Sequence, residues 1–329
     1  MNPALMQFLA CPDCGAPLAH RGDDLVCPSG HGRDASDGRP PFRVEGGIPR
    51  LLPPGGAGLA KRTVEAFERQ WRSYGDLRRI FGKDPEAMTA NLHGPRMGRR
   101  IDRDWYRGRR VLDAGCGHGR YLQAFAALGA DVVGLDIGRG PEMAGVPLDD
   151  PRIDVVQGSV LAPPFQPGSF DLVFSDGVIH HTPDAHAAYL ALARLVKPGG
   201  ALSGWVYPRE GALREAVFGT ARAVTTRLPG PVVRTVAFAL APLTVGVRSY
   251  SGTRFGEATW SECAQVVHDW IAPPLQSHHT YEEVETWAAE AGLGAAERLP
   301  IPTGITAWRP ARDAPDASPS AAAAAAAGA

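Results

Sequence analysis

Apolar residues in the middle of the chain form short runs of the kind found in buried parallel strands. The segment RVLDAGCGHGRY, residues 110–121, begins with such a run, passes through a glycine-rich turn and enters a helix that includes LQAFAALG. The next apolar run, DVVGLD, ends at Asp136 and predicts a second strand. Strand, turn, helix and strand in this order predict the first unit of a doubly wound α/β sheet, whose ligands bind beyond the carboxyl ends of the strands.

Helical spacing of apolar residues precedes this unit. In KRTVEAFERQWRSYGDL, the residues Val64, Phe67, Trp71 and Tyr74 recur at intervals of three and four, which predicts an amphipathic helix. We expect residues 61–108 to form helices that lie ahead of the sheet and cover the ligand site. Packing of the apolar stripe on the sheet is favoured over direct contact with the ligand.

Helical patterns also dominate the second half of the chain. Residues 209–279 are predicted to be mostly helical, with breaks at several prolines. The segment TYEEVETWAAEAGL predicts a helix that opens with a capping box of Thr280 and Glu283. The segments GAAERLP and TGITAWRP predict two more strands. Residues 311–329 are an alanine-rich, low-complexity tail that we expect to be disordered.

Length and charge limit the choice of function. A chain of 329 residues is long for one core, which indicates two domains or one domain with a large insertion. The net charge of −1 gives no general attraction to nucleic acid or to an anionic membrane. The N-terminus lacks the pattern of a signal peptide, and the longest later apolar run, PVVRTVAFALAPLTVGV, is shorter than a membrane span. We therefore expect a cytoplasmic protein without a membrane span.

A cluster of cysteines near the N-terminus predicts a metal site. Cys11 and Cys14 form a C-x2-C pair, and Cys27 and His31 form a C-x3-H pair after a gap of twelve residues. Two such pairs across a short loop can form the closed tetrahedral set of a structural zinc site. All four ligands come from protein, so this site leaves no position for a substrate or a reactive water. We expect residues 1–55 to form a small zinc-ribbon-like module that ends at a Pro/Gly linker.

The glycine turn also indicates which cofactor the sheet binds. The dinucleotide fingerprint G-x-G-x-x-G would place a third glycine where this chain has Arg120. Asp113 would repel a pyrophosphate beside the turn, whereas it suits a ligand that carries an ammonium group. Asp136, twenty-one residues after Gly115, can accept hydrogen bonds from both hydroxyls of a ribose. These features favour S-adenosylmethionine.

From Arg109 to Tyr207 the chain resembles class I S-adenosylmethionine-dependent methyltransferases. The glycine motif is LDAGCGHG, the fourth strand and its exit are FDLVFSDGVIHHTPD, and the next helix, turn and strand are LARLVKPGGALSGWVYP. The resemblance implies a Rossmann-like, seven-stranded methyltransferase sheet built from residues 109–208 and 280–310. Residues 209–279 then form a helical insertion after the fifth strand of that sheet, on the side that receives substrate, and we expect this insertion to act as a substrate cap.

The resemblance also implies a set of cofactor contacts. The chain departs from many relatives where they have Gly-Asp, because here Gly158 is followed by Ser159, so a hydroxyl or the backbone replaces the usual carboxylate contact to adenine. The implied cofactor-binding residues are Asp113, Ala114, Gly115, Cys116, Gly117, Asp136, Ile137, Ser159, Val160 and Ser175.

Histidines at the exit of the fourth strand are the candidates for proton transfer. Methyl transfer mainly requires positioning, but a hydroxyl acceptor must also lose a proton. His180 and His181 face the methyl group in this family and are candidate general bases, although one of such a pair often orients the loop instead. Asp176 is the main rival. A second pair, His278 and His279, could reach the same cavity.

Two classes of acceptor remain open. The first is a small molecule such as a sugar, a lipid-linked intermediate or a secondary metabolite. The second is an RNA base, because the cysteine and histidine spacing also resembles that of bacterial ribosomal RNA guanine-N1 methyltransferases. Seven arginines could track phosphates, although a solvated helix face is the favoured account of them: Arg96, Arg99, Arg100, Arg103, Arg107, Arg109 and Arg110. The near-neutral charge and the long apolar insertion favour the small molecule, and the sequence does not indicate an oligomeric state.

Overall fold

A computed structural model describes residues 2–31, 41–53, 59–74, 89–90, 92–93, 96–143, 146–244 and 260–311. A small antiparallel pair near the N-terminus comprises β1 (Ala19–Arg21) and β2 (Asp24–Val26). The central sheet comprises β3 (Val44–Glu45), β4 (Ile48–Leu51), β5 (Arg110–Ala114), β6 (Asp131–Asp136), β7 (Ile153–Gly158), β8 (Phe170–Asp176), β9 (Val196–Trp205), β10 (Ala296–Arg298) and β11 (Ile305–Trp308).

The central sheet confirms the predicted fold class and is two strands wider than predicted. Its order is β10-β11-β9-β8-β5-β6-β7-β4-β3, with β5 to β9 parallel to one another and β11 antiparallel to β9. Seven of these strands are the expected methyltransferase sheet. The other two come from the N-terminal segment, where β4 pairs in parallel with β7 through Leu51 and Gly158. This pairing covers an edge that would otherwise expose unpaired backbone groups.

Helices cover the sheet and form the insertion. They are α1 (Leu59–Tyr74), α2 (Arg120–Ala127), α3 (Gly140–Met143), α4 (Ala185–Ala193), α5 (Ala212–Thr225), α6 (Gly230–Leu240), α7 (Trp260–Ile271) and α8 (Tyr281–Glu290). The predicted capping box begins α8, because the Glu283 backbone N–H donates to Oγ1 of Thr280 and the Thr280 N–H donates to Oε2 of Glu283. In the part of the chain that is described, no helix is both long and apolar enough to cross a bilayer.

The expectation of helices throughout residues 61–108 differs from the structure. Helix α1 accounts for the first part, but residues 96–109 form turns. Gly108 has a φ of +66°, and the Gly98 N–H donates to Oγ1 of Thr306 at 3.1 Å, so this segment is tied to the sheet instead of to a helical ladder. Two expectations concern the side chains of Trp71 and Tyr74 and the tail residues 312–329, all of which lie outside the described residues.

Each face of the sheet carries a buried apolar layer. Adjacent strand residues point to opposite faces, so Val111 belongs to one layer and Leu112 to the other. The layer that contains Leu112 also includes Leu5, Phe8 and Leu25 of the N-terminal segment. The N-terminal segment therefore shares one core with the sheet.

The insertion after β9 is helical, as predicted, and has its own small apolar cluster. Val233 of α6 packs with Val267 and Ile271 of α7, and Phe218 of α5 contacts Trp270 edge-on at a ring distance of 5.5 Å. Pro229 caps α6 and marks one of the predicted breaks. This arrangement places α7 against α1, beyond the carboxyl ends of the parallel strands.

Candidate functional site

A cavity of about 430 Å³ lies beyond the carboxyl ends of β5, β6 and β8. Its floor is the glycine turn after β5 and the end of β6, and one side is the segment of residues 159–162 that follows β7. Helix α1 supplies Thr63, Val64 and Phe67, and α7 of the insertion supplies Gln265 and Asp269. The size is within the usual range for a site that holds a cofactor or a drug-sized ligand.

Two glycines of the turn have a positive φ and no room for a side chain. Gly115 has a φ of +86°, and a Cβ there would collide with the side chain of Val178. Gly119 has a φ of +80°, and a Cβ there would collide with Val146. The Gly115 and Cys116 N–H groups both donate to the Leu135 carbonyl, at 2.7 and 3.0 Å, which fixes the turn to β6.

Asp136 ends β6 and is held by the backbone on both sides. Its Oδ2 accepts from the Gly117 N–H at 2.8 Å, and its Oδ1 accepts from the Gly138 N–H at 2.7 Å. Burial raises the pKa of Asp136, while these two backbone hydrogen bonds act in the opposite direction. Each carboxylate oxygen has a second lone pair, so the oriented group can still accept from two ligand hydroxyls.

Asp113 lies at the end of β5 with one carboxylate oxygen unsatisfied. The residue is 2% exposed, and its Oδ2 is buried without a hydrogen-bond partner among the described residues. Burial raises the pKa of Asp113 to about 8, although Arg120 partly opposes the shift. A buried acceptor without a partner is costly and usually marks a place where a ligand completes the site. An ammonium group would satisfy Oδ2 directly.

The opposite end of the cavity is less charged. Ile137 is 37% exposed, and Ser159, Val160 and Leu161 lie beside it along the cavity wall. Oγ of Ser159 accepts from the Leu161 N–H at 3.2 Å, which leaves its own proton to be donated. This wall can hold a flat apolar group and offers one hydroxyl donor to it.

Eight of the ten predicted cofactor residues line this cavity. They are Asp113, Gly115, Cys116, Gly117, Asp136, Ile137, Ser159 and Val160. Ala114 and Ser175 do not line it. The Ser175 hydroxyl donates to the Ala114 carbonyl at 3.0 Å, so this pair supports the turn from behind instead of contacting a ligand.

His181 is the one histidine of the two predicted pairs that lines the cavity. Its Nδ1–H donates to the Leu275 carbonyl at 2.9 Å, so Nε2 carries the lone pair. Its ring contacts the Phe67 ring edge-on at 4.9 Å. Burial lowers the pKa of His181 to about 4, so the ring is neutral near pH 7. It can accept a proton or hydrogen bond without carrying a positive charge toward the cofactor.

The other three histidines pack behind His181. His180 is fully buried, stacks on Tyr207 at a ring distance of 3.9 Å and accepts from the Tyr207 N–H at Nδ1. Its Nε2 has no hydrogen-bond partner in the described structure, and burial lowers its pKa well below the usual range. His278 hydrogen-bonds with Gln276 and His279 with the Ser277 hydroxyl, away from the cavity. The expectation that the second pair reaches the cavity therefore differs from the structure.

Asp176 also lines the cavity, but two arginines neutralise it. Its Oδ2 accepts from Nε of Arg96 at 3.0 Å, from Nη2 of Arg120 at 3.2 Å and from the Tyr121 hydroxyl at 3.2 Å. Oδ1 is buried and has no partner among the residues described. Its contacts suit Asp176 to accept a hydrogen bond from a ligand more than to remove a proton.

Most of the arginines that suggested a phosphate track lie in turns and are paired with acidic residues. Arg96 is 2% exposed and pairs with Asp176, Arg99 pairs with Glu297, and Arg107 pairs with Asp104. These residues do not form a solvated helix face, because the segment that carries them has no helix. Pairing with carboxylates offsets part of the positive charge that an RNA backbone would need.

The four predicted metal ligands come together at the N-terminus. The ligand atoms of Cys11, Cys14, Cys27 and His31 all lie within 4.8 Å of one another, and this is the one such group among the described residues. The Sγ atoms of Cys14 and Cys27 are 3.5 Å apart, and Sγ of Cys27 is 3.7 Å from Nδ1 of His31. In a tetrahedral site with Zn–S bonds of about 2.3 Å, sulfur ligands lie roughly 3.8 Å apart, so the set fits zinc.

Several cavity residues were not among the predicted contacts. Val64 and Phe67 lie on the predicted helical stripe, for which packing on the sheet was the favoured role, and Thr63 precedes Val64 on the same helix. Gln265 and Asp269 are four residues apart and therefore share one face of α7. Sequence spacing alone could reveal that shared face but not the cavity opposite it.

Comparisons with known proteins agree with this geometry. The methyltransferase domain family matches residues 112–203. The ubiquinone biosynthesis O-methyltransferase of Albidiferax ferrireducens is 38% identical over 105 residues, which are 30% of this chain and 40% of that protein. The enzyme of the same name from Thiobacillus denitrificans is 36% identical over 131 residues, 38% of this chain and 55% of that protein. The chain thus spans about half the length of these curated relatives.

Among solved structures, a similar one is magnesium protoporphyrin IX methyltransferase of Synechocystis with bound SAH. It is 18% identical, covers 76% of this chain and 97% of its own chain, and has a TM-score of 0.43.

Proposed function

We propose that this chain transfers a methyl group from S-adenosylmethionine to a small-molecule acceptor, on the premise that its residues 112–203 match the methyltransferase domain family. One observation carries the proposal. The cavity contains a buried carboxylate oxygen of Asp113 without a partner and, at the end of the next strand, a carboxylate of Asp136 oriented by two backbone N–H groups. A ligand with an ammonium group and a ribose matches both.

Each part of the cofactor has a matching part of the cavity. Asp113 would hold the ammonium group of the methionine moiety, and Asp136 would accept from the ribose hydroxyls. Ile137, Ser159 and Val160 would contain the adenine, with Ser159 as a hydroxyl donor in place of the carboxylate that many relatives use. S-adenosylmethionine, when bound, supplies the electrophilic methyl group.

The remaining polar groups of the cavity would position the acceptor. Three of these groups, His181, Asp176 and Asp269, lie on the side of the cavity that is formed by the end of β8 and by α7. An acceptor with a carboxylate or phosphate is disfavoured there, because Arg120 is already engaged by Asp176. A hydroxyl acceptor is the class that the named relatives suggest, and it suits a neutral imidazole with an open Nε2.

We further propose that the N-terminal cluster binds one structural zinc ion through Cys11, Cys14, Cys27 and His31. The set has four protein ligands and lies apart from the cavity-lining residues, so zinc would stabilise the N-terminal segment without taking part in methyl transfer. Burial alone would raise the pKa of the Cys27 thiol, but hydrogen bonds from His31 and the Ser29 backbone lower it to about 6.

Calorimetric titration tests the cofactor assignment. We expect S-adenosylmethionine and S-adenosylhomocysteine to bind and NAD not to bind. Asp136→Ala should weaken binding by roughly 1.5–3 kcal/mol, the contribution of a hydrogen bond to a charged group. Asp131→Asn is the matched control, because Asp131 is exposed at the opposite end of the same strand. Tighter binding of NAD, or equal effects of the two substitutions, would refute the assignment.

A transfer experiment separates the two acceptor classes. Labelled methyl groups from S-adenosylmethionine are followed into cell extract that has been fractionated into RNA and metabolite pools. We expect label in the metabolite pool. Label confined to RNA would replace the small-molecule proposal with base methylation.

A further inference from the structure

Helix α7 of the insertion presents two polar side chains to the cavity. Gln265 and Asp269 both line it and, being four residues apart, share one face of the helix. The opposite side of α7 packs inward, because Ala264, Val267 and Ile271 belong to the buried apolar clusters of the insertion. The polar face of an amphipathic helix ordinarily meets solvent. In α7 this polar pair meets the cavity instead, so both side chains are placed to contact a ligand.

The side-chain amide of Gln265 has no hydrogen-bond partner in the described part of the chain. The residue is 6% exposed and lines the cavity. A buried amide without hydrogen bonds is costly, and native proteins rarely keep one. The amide of a glutamine offers two donor hydrogens and an acceptor oxygen. A molecule that enters the cavity can satisfy these groups, so Gln265 marks a binding contact that the protein does not complete by itself.

Contacts of α7 place this pair near His181, at the acceptor end of the cavity. The Leu275 carbonyl, just beyond the end of α7, accepts from Nδ1 of His181 at 2.9 Å. The ring of Tyr207 lies 5.5 Å from the His181 ring, and burial together with the negative charge of Asp269 raises the pKa of Tyr207. Asp269 and His181 are therefore both close to Tyr207. The two aspartates assigned to the cofactor lie instead at the ends of β5 and β6.

The charge of the cavity disfavours an anionic acceptor. Among the described residues that line it, one is an arginine and none is a lysine. The arginine is Arg120, which is already engaged by Asp176 at 3.2 Å. Four lining residues are aspartates: Asp113, Asp136, Asp176 and Asp269. A second anion would meet carboxylates without a spare cation to offset the repulsion.

The hydrogen-bonding capacity of the pair suits hydroxyl groups. A hydroxyl both donates and accepts, as the Gln265 amide does, whereas an ionised Asp269 accepts only. Four residues along a helix span about 6 Å, so the two side chains can meet hydroxyls on different carbons of one molecule. A site that is arranged to hydrogen-bond a substrate strongly rejects an analogue that lacks the matching group, because its own polar groups then stay unpaired.

We propose that Gln265 and Asp269 determine acceptor specificity and select an uncharged, polyhydroxylated small molecule. The Gln265 amide hydrogen-bonds one hydroxyl of the acceptor, Asp269 accepts from another, and a further hydroxyl lies toward His181, where it receives the methyl group. This inference rests on the proposed function, because it names the class of acceptor for the same cavity.

A dilution series of the metabolite pool tests the role of Gln265. Labelled methyl transfer from S-adenosylmethionine is measured against the amount of pool added, which gives a half-saturating amount and a plateau rate. Gln265→Met keeps the size of the side chain without its hydrogen bonds. It should raise the half-saturating amount at least about tenfold and leave the plateau within about threefold, because binding to the acceptor is lost. Gln123→Met is the matched control, since Gln123 is half-buried on α2 outside the cavity.

A conservative variant separates recognition from packing. Gln265→Glu retains the length of the side chain and an oxygen that accepts from a hydroxyl, so its half-saturating amount should lie between those of the wild type and Gln265→Met. The same ordering tests the proposal if Gln265→Met fails to fold. A half-saturating amount equal to that of the wild type in both variants would overturn it. Equal weakening of S-adenosylhomocysteine binding by Gln265→Met would make this residue a cofactor contact and would also overturn it.

Ion exchange tests the class of acceptor. The metabolite pool is passed over an anion exchanger and a cation exchanger before labelling, and we expect the label in material that neither resin retains. Label confined to material retained by either resin contradicts an uncharged acceptor. A wild type that binds S-adenosylhomocysteine but transfers no label overturns the proposed function and this inference with it. Normal transfer by the wild type with unchanged saturation in the Gln265 variants overturns this inference alone.

Discussion

Nε of Arg96 lies 3.0 Å from Oδ2 of Asp176, and both side chains are 3% exposed. The pair joins the turns before β5 to the end of β8. The Arg96 carbonyl also accepts from the Ser203 hydroxyl, which ties the same turns to β9. One wall of the cavity is therefore fixed by a buried charge pair that draws on segments eighty residues apart.

Replacing one member of this pair should lower the free energy of unfolding. Arg96→Met leaves the Asp176 carboxylate buried with only Arg120 and Tyr121, and we expect a loss of about 3 kcal/mol in the free energy of unfolding. Arg99→Met is the matched control, because Arg99 is 93% exposed in its pair with Glu297 and should cost less than about 1 kcal/mol. Urea denaturation of both variants measures the difference, and equal losses would contradict the assigned role.

The buried carboxyl of Asp113 should lower the free energy of unfolding of the unliganded protein, although it supports cofactor binding. Burial raises its pKa to about 8 in the folded protein, from 3.8, so between these values the folded state holds a proton that the unfolded state has released. Stability contributed by the protonated form is then lost as pH rises toward 8. Asp113→Asn removes this loss, and its stability advantage over the wild type should grow from pH 4 to pH 8. Thermal unfolding across this range would show the trend, and a pH-independent difference would contradict it.

The same carboxyl should make cofactor affinity depend on pH. A bound ammonium group favours ionised Asp113, so below pH 8 binding must first remove a proton. Affinity for S-adenosylmethionine should rise as pH increases toward 8, by up to about tenfold per pH unit. Calorimetry in two buffers with different ionisation enthalpies would detect the released proton. The Asp113→Asn variant should bind weakly and show no such proton release.

Loss of the metal should weaken the cofactor site as well as the N-terminal segment. The Ala10 N–H donates to the Pro164 carbonyl at 2.9 Å, and the Gln166 N–H donates to the Phe8 carbonyl at 2.8 Å, so the metal segment holds the chain just beyond Ser159. We expect His31→Asn to release zinc, lower the unfolding temperature and reduce S-adenosylhomocysteine affinity.

His20→Asn is the control for that experiment, because His20 is exposed in β1, between the two ligand pairs in sequence, and lies outside the ligand set. Metal analysis, unfolding and calorimetry are measured on both variants. Full zinc content in His31→Asn would exclude the site, whereas zinc loss with unchanged cofactor affinity would show that the two sites are uncoupled.

The part of the site that the sequence could predict is formed by residues that lie close together along the chain. Asp113, the glycine turn and Asp136 lie within one strand–turn–helix–strand unit, where spacing alone fixes their relative positions. The pairing of Leu51 with Gly158 joins segments more than one hundred residues apart, and nothing in the sequence of β4 indicates which strand it pairs with. Arg96 shows a further limit, because a count of charges cannot distinguish an arginine on a phosphate track from one buried against Asp176.

The two neighbouring histidines should differ in their roles. His181 lines the cavity with Nδ1 bound to the Leu275 carbonyl, and His180 lies behind it against Tyr207. If the acceptor is a hydroxyl, His181→Asn should slow turnover by about 10²- to 10⁴-fold with little change in cofactor affinity, whereas His180→Asn should mainly reduce stability. Because burial lowers the pKa of His181 to about 4, the wild-type rate should show no inflection from this histidine between pH 6 and 8. Turnover of both variants within about threefold of the wild type would show that catalysis proceeds by positioning and that both histidines serve the scaffold.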